Sequence, residues 1–160
     1  MSKNSKIILC VTLFLMISSL LVAYFIEHGL GHKPCKLCLY QRLPYFFSIV
    51  LILNILLVRK YEKFSLLILS LTMLLGSSLA FYHYGIEQGF FNESFMCADS
   101  NLSKEMTKEE ILSQLRENVV SCKEVTFKLL GFSLASINTI FSFVLFCIFI
   151  MLYNNYESNR

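Results

Sequence analysis

Four cysteines of this 160-residue chain have the types and spacing for thiol chemistry. Cys35 and Cys38 stand three apart in Lys33-Pro-Cys-Lys-Leu-Cys-Leu-Tyr-Gln-Arg42, and twenty-four residues separate Cys97 from Cys122. Zinc is one use for such a set, since four thiolates can complete a tetrahedral site. Only one close pair exists, however, and zinc thiolates outside the cytoplasm would compete with oxidation. Two structural disulfides are a second use. A Cys97–Cys122 bridge would be worth about 3 kcal/mol through loop closure. A Cys35–Cys38 bridge closes so small a ring that it adds almost nothing to stability and is more useful as a redox couple. The choice depends on where the chain places the thiols.

Four apolar runs must do the placing. The chain is 56% hydrophobic with fifteen Phe and two Pro, and its mean hydropathy is +0.61, well above a soluble domain. Residues 7–26, 39–58, 64–84 and 129–153 are each long enough to cross roughly 30 Å of hydrocarbon. Each is expected to be helical, because lipid offers no partner to a free backbone group. The fold expected is an all-α integral membrane four-helix bundle, one domain over residues 1–160. The first run follows Lys3 and Lys6 as a signal peptide would, but it is too long for such a segment and no small-x-small site precedes Glu27. It reads as a retained span.

Basic residues set the orientation. Lys3 and Lys6 precede the first span, Arg59, Lys60 and Lys63 lie between the second and third, and Arg160 ends the chain. These segments share one side, the cytoplasm by the positive-inside rule. The other side receives a short loop, about 27–38, and a long one, about 85–128, in which eight carboxylates face five basic residues. Within the long loop Thr107-Lys-Glu-Glu110 reads as a capping box. Ile111, Leu112, Leu115 and Val119 follow at helical spacing, giving a short amphipathic helix for the membrane surface or for the bundle itself. The net charge of +3 is spread thinly, so nucleic acid is not an expected partner.

The orientation partitions the cysteines. Cys10 and Cys147 fall inside spans, as small apolar residues. Cys35, Cys38, Cys97 and Cys122 all fall outside the cytoplasm, where an even set of thiols suggests disulfides. The Cys35–Cys38 pair also sits where the second span begins, and a helix N-terminus favours thiolate. His32, Lys33, Lys36 and Arg42 add positive charge. Arg42 follows Cys38 by four residues and Cys35 by seven, on one helical face. It serves either to snorkel toward headgroups or to donate to a small apolar electron acceptor. His83 and Glu87 end the third span. His83 reads as a proton donor or, equally, as a buried histidine satisfied by a backbone carbonyl.

Together, the Pro-Cys-x-x-Cys-x-Tyr-x-Arg run at 34–42, Tyr82-His83-Tyr-Gly-Ile-Glu87, and Ser121-Cys122 ahead of Leu-Gly-Phe-Ser-Leu-Ala-Ser-Ile-Asn138 resemble the bacterial disulfide bond formation protein B family, DsbB. Its members are inner-membrane thiol–quinone oxidoreductases. The likeness spans nearly the whole chain. Lys123 stands where an acidic residue is expected, and Phe127 where a Trp is usual. The resemblance implies that Cys97 and Cys122 form the disulfide presented to a periplasmic thioredoxin-fold oxidase like DsbA. Electrons would then reach Cys35–Cys38 through a transient Cys35–Cys122 bond. Cys38 would reduce a membrane quinone, ubiquinone or menaquinone, with Arg42 holding its oxygen and His83 beside it. No metal is implied. A non-catalytic four-span scaffold with a disulfide-stabilised loop is the alternative. A tetraspanin is disfavoured because its Cys-Cys-Gly signature is missing, and an enzyme like vitamin K epoxide reductase would share the electron flow with another partner.

Overall fold

A computed structural model describes residues 3–58, 61–92, 122–123, 128–129 and 131–158. Cys97 and the capping-box helix at 107–119 lie outside the described residues. The architecture is the expected all-α membrane bundle. Four stretches are long and apolar enough to cross a bilayer: Lys3–His28, Lys36–Leu57, Glu62–Glu87 and Leu134–Tyr156. Helix α1 covers Lys3–His28, α2 Lys36–Tyr40, α3 Leu43–Leu57, α4 Glu62–Glu87 and α5 Leu134–Ser158.

Two boundaries differ from the hydropathy reading, each for a local reason. The second span is not one helix from Leu39 but the five-residue α2, a turn at Gln41 and Arg42, and then α3 with a proline in its first turn. Pro44 has no N–H to offer the carbonyl of Tyr40, and its ring crowds that carbonyl, so α2 cannot run straight into α3. The fourth apolar run begins at Leu129, yet α5 begins at Leu134. Lys128–Leu129 and Phe132–Ser133 pair as a minimal antiparallel hairpin, turned by Gly131 at φ 87°. Ser133 then caps α5: its Oγ accepts the Ser136 N–H at 3.2 Å and its carbonyl accepts the Ser136 hydroxyl at 2.8 Å.

The thiol-bearing end of the bundle is defined by where helices stop and start. Helices α1 and α4 end there, with Glu27 and His83 near their C-termini, while α3 and α5 begin there, with Tyr45 and Asn138 near their N-termini. At the far end the Lys63 ammonium of α4 lies 5.5 Å from the centre of the Tyr153 ring of α5. Past His83, α4 closes with Gly89 at φ 77°, and the N–H groups of Phe90 and Phe91 donate to the Gly85 carbonyl at 2.8 and 3.2 Å. Phe91 folds back against Tyr82, ring centres 5.5 Å apart, over a position where any side chain on Gly85 would collide with it.

Helix α4 is the most enclosed of the four spans, packed chiefly on α5 and then on α3, while α1 touches mainly α3. Leu66, Leu69, Met73, Gly76, Ala80 and His83 repeat along its buried face at intervals of three and four. Small residues at Ser70, Gly76, Ser77 and Ala80 let neighbouring backbones approach, as lipid-embedded helices require where apolar burial drives no association. The Ser77 hydroxyl reaches the Thr139 carbonyl of α5 at 3.3 Å. A Cβ on Gly76 would stand 3.2 Å from Pro44 Cβ. Gly76→Leu is therefore expected to overpack the α3–α4 contact and lower stability by about 1–3 kcal/mol in detergent unfolding titrations. Leu75→Val, at an outward position 70% exposed, is expected to change stability little. Equal effects at the two positions would contradict this packing.

Candidate active site

Cys35, Cys38 and Cys122 meet at one end of the bundle. Cys35 precedes α2 in extended conformation and caps it, its Sγ accepting the Cys38 N–H at 3.3 Å. The Cys38 Sγ lies 2.8 Å from the Cys35 Sγ, both as free thiols. Leu37 and Ile86 are buried with Cys35 and Cys122, and Leu79 and Tyr82 pack around them. Cys122 is itself disulfide-bonded, and it is buried with only 1% exposure. The sulfur atoms of Cys35 and Cys122 and a ring nitrogen of His83 all lie within 4.8 Å of one another. Such a group could ligate a metal, but a disulfide sulfur has no thiolate to give.

Hydrogen bonding makes Cys35 the thiolate of the pair. The Cys38 thiol donating to it is the largest influence. Burial opposes this, His83 then assists, and the net result holds Cys35 well below the ordinary thiol value, at about 5. The five-residue α2 supplies its Cys38 N–H directly, so the stabilisation is local rather than the field of a long helix.

His83 is the buried hub. Its Nε2 lies 3.5 Å from Cys35 Sγ and 3.7 Å from Glu87 Oε1, one helical turn on. The ring also hydrogen-bonds the backbone of Cys122, so it both meets the thiols and takes the backbone partner of a helix-end histidine. Its Nδ1 accepts from the Gln41 side-chain amide at 2.9 Å. Behind Gln41 the polar contacts continue into the bundle. Asn138 Nδ2 donates to Gln41 Oε1 at 2.7 Å, Tyr45 Oη donates to Asn138 Oδ1 at 2.5 Å, and Ser142 Oγ lies 2.8 Å from the Tyr45 hydroxyl.

A cavity of about 440 Å³ opens beside this line, between α1, the α2–α3 turn and the start of α5. Leu15, Val22, Ile137 and Phe141 belong to its apolar wall, and Cys35, Cys38, Gln41, Arg42, His83 and Asn138 gather as its polar groups. That combination is usual for a site taking an apolar ligand with a few polar atoms. Arg42 is at the edge, where its Nη1 donates to Glu27 Oε2 at 2.6 Å, each side chain about one-fifth exposed. The carboxylate offsets the cost of an arginine at the membrane boundary and fixes the direction of the guanidinium, whose remaining N–H groups are not used in this pair.

Of the residues marked in the sequence, Cys35, Cys38, Cys122, Arg42 and His83 are thus brought to one site, and Cys97 lies outside the described residues. Cys10 and Cys147 are exposed free thiols on α1 and α5, away from it. Sequence reasoning passed over Glu27, Gln41, Tyr45 and Asn138. The signal available was their polarity at membrane depth, which is costly unless paired.

Comparison with known proteins agrees with this geometry. Residues 5–152 match the family model of disulfide bond formation protein DsbB. An uncharacterised protein of Rickettsia prowazekii (strain Madrid E) is 30% identical over 145 residues, covering 88% of this chain and 83% of that protein. Residues 5–152, matched by the family model, contain every residue of the site. With four candidate spans and a thiol pair beside a buried disulfide, the chain belongs to the disulfide bond formation protein DsbB family, as a multi-pass membrane disulfide oxidoreductase.

Proposed function

We propose that this protein reoxidises an extracytoplasmic thioredoxin-fold dithiol oxidase of the DsbA kind and passes the electrons to a membrane quinone. The observation that carries the reading is the approach of the Cys35 and Cys122 sulfurs within 4.8 Å, next to a cavity that Cys38 also lines. The partner's thiolate attacks Cys97 of a Cys97–Cys122 disulfide, forming a mixed disulfide and releasing Cys122 as thiolate. Cys122 attacks Cys35 of an oxidised Cys35–Cys38 pair. A Cys35–Cys122 bond forms, the Cys35–Cys38 bond breaks, and Cys38 leaves as thiolate. The partner's second thiol resolves the mixed disulfide at its own sulfur, releasing Cys97, which opens the Cys35–Cys122 bond by attack on Cys122. The partner leaves oxidised, with the two electrons held on Cys35 and Cys38, the reduced pair that the structure contains.

The cavity fits a quinone: its volume is within the usual range for small-molecule sites, and its donors gather at one end of an apolar wall. A bound quinone supplies a two-electron, two-proton acceptor. Arg42, held by Glu27, would bind a carbonyl oxygen, Cys38 would face the ring, and His83 would hold a proton at Nε2. Leu15, Val22 and Phe141 exclude water from the thiols. In the orientation read from the basic residues, these groups face the periplasm and both termini the cytoplasm of a bacterial inner membrane.

Purified protein given a reduced thioredoxin-fold partner under anaerobic conditions is expected to bleach ubiquinone absorbance. A protein that oxidises no partner and bleaches no quinone would be the non-catalytic scaffold instead. Cys38→Ser is expected to abolish turnover, and Arg42→Leu to raise the quinone KM about tenfold through loss of one charge-assisted hydrogen bond. Full turnover by Cys38→Ser would remove the assigned relay. The thiolate assignment has its own check. Because the Cys35 value is depressed, its alkylation by iodoacetamide in reduced protein is expected to be fast above pH 5 and to fall as pH drops through about 5, read by peptide mass spectrometry. A half-point near the ordinary thiol value would contradict it.

A further inference from the structure

The polar line behind His83 has a direction. Tyr45 Oη donates to Asn138 Oδ1, Asn138 Nδ2 donates to Gln41 Oε1, and Gln41 Nε2 donates to His83 Nδ1. Each amide spends its oxygen on the group behind it and its nitrogen on the group ahead. Gln41 therefore presents N–H to the ring, and a nitrogen that accepts a hydrogen bond cannot carry a proton. The neutral imidazole is left with its proton on Nε2, the atom 3.5 Å from Cys35 Sγ. The reversed line would aim a lone pair from Nε2 at the sulfur, repelling the thiolate it now stabilises.

We infer that Gln41 and Asn138, anchored by Tyr45, act as positioning residues that lock His83 in its Nε2–H tautomer, so that it donates to the Cys35 thiolate. Side-chain amides do not pass protons onward readily, so the line serves as a lock and not as a proton wire. It operates at a distance: Asn138 is ninety-seven residues from Gln41 in sequence and reaches the sulfur only through two intervening side chains. The groups that share His83 or face Cys35, and so compete with this donation, are Cys38 on α2, Glu87 beside His83 on α4, and the Cys122 backbone. Arg42 with Glu27, and His32 with Lys33, line the same cavity.

The tautomer itself does not depend on the relay; only its use in tuning Cys35 rests on that reading. The chain has three histidines, so full-length protein with 15N-labelled histidine in detergent micelles resolves His83, assigned by its loss in His83→Gln. In reduced wild-type protein the neutral form of His83 is expected to be a single tautomer with protonated Nε2 and bare Nδ1. Asn138→Leu frees the Gln41 amide to turn. A mixture of tautomers is expected, together with a rise of about one pH unit in the half-titration of Cys35 alkylation, the size of one lost hydrogen bond to a charged group. Tyr45→Phe, a milder change that keeps the ring, is expected to shift both readouts in the same direction by less. A wild-type spectrum with the proton on Nδ1, or an Asn138→Leu protein that retains the single Nε2–H form, overturns the inference. A structural role for Asn138 alone would alter stability and leave the tautomer unchanged. Failure of quinone bleaching would count against the relay and leave these spectra standing.

Discussion

The hydrogen bond between Gln41 and His83 ties the thiol cluster to the membrane bundle. It joins the turn between α2 and α3 to the end of α4, and through Asn138 it extends to the start of α5. In hydrocarbon each of these groups would be costly alone, and each is tolerated because the next one completes it. That mutual dependence fixes where α2 sits over α4, and so fixes the distance from Cys35 to both His83 and Cys122. The small-residue face of α4 serves the same end. Gly76 lets Pro44 come close, which brings the turn carrying Gln41 and Arg42 over the helix carrying His83.

Thiol exchange needs a sulfur that leaves readily as thiolate, a target sulfur within reach and a place for the electrons. The first is supplied by Cys38 and His83 donating to Cys35, the second by the cluster with Cys122, and the third by a cavity with an apolar wall and a fixed cation. None of these requires a strained element. The short α2 contributes by being short: its single turn places both sulfurs at one edge of the cavity, and Pro44 prevents it from merging with α3 and carrying Cys35 elsewhere.

Much of this was legible in the sequence. Charge-free apolar length is a direct consequence of bilayer thickness, so four spans could be counted, and the position of Cys35 and Cys38 at the mouth of the second followed. Element ends were less legible. The run from Leu129 through Phe132 is as apolar as a membrane helix, and only Gly131 and Ser133 signal the hairpin and cap that delay α5. Pro44 signalled the break in the second span but was outweighed by the hydropathy around it. Gln41, Tyr45 and Asn138 escaped for another reason. Their partners are forty-two to ninety-seven residues away, and no periodicity within one helix encodes a contact between two. Glu27 likewise read as the end of a span until Arg42 was found against it.

The central claim is that Cys35 and Cys122 are the sulfurs through which the two pairs communicate. It is tested most directly in full-length protein carrying Cys38→Ser and Cys97→Ser, oxidised mildly in a lipid bilayer and mapped by non-reducing peptide mass spectrometry. The account requires a Cys35–Cys122 disulfide as the main product, with Cys10 and Cys147 left as free thiols. Recovery of Cys35 and Cys122 both unpaired, or of either joined to a membrane-embedded cysteine, would contradict it.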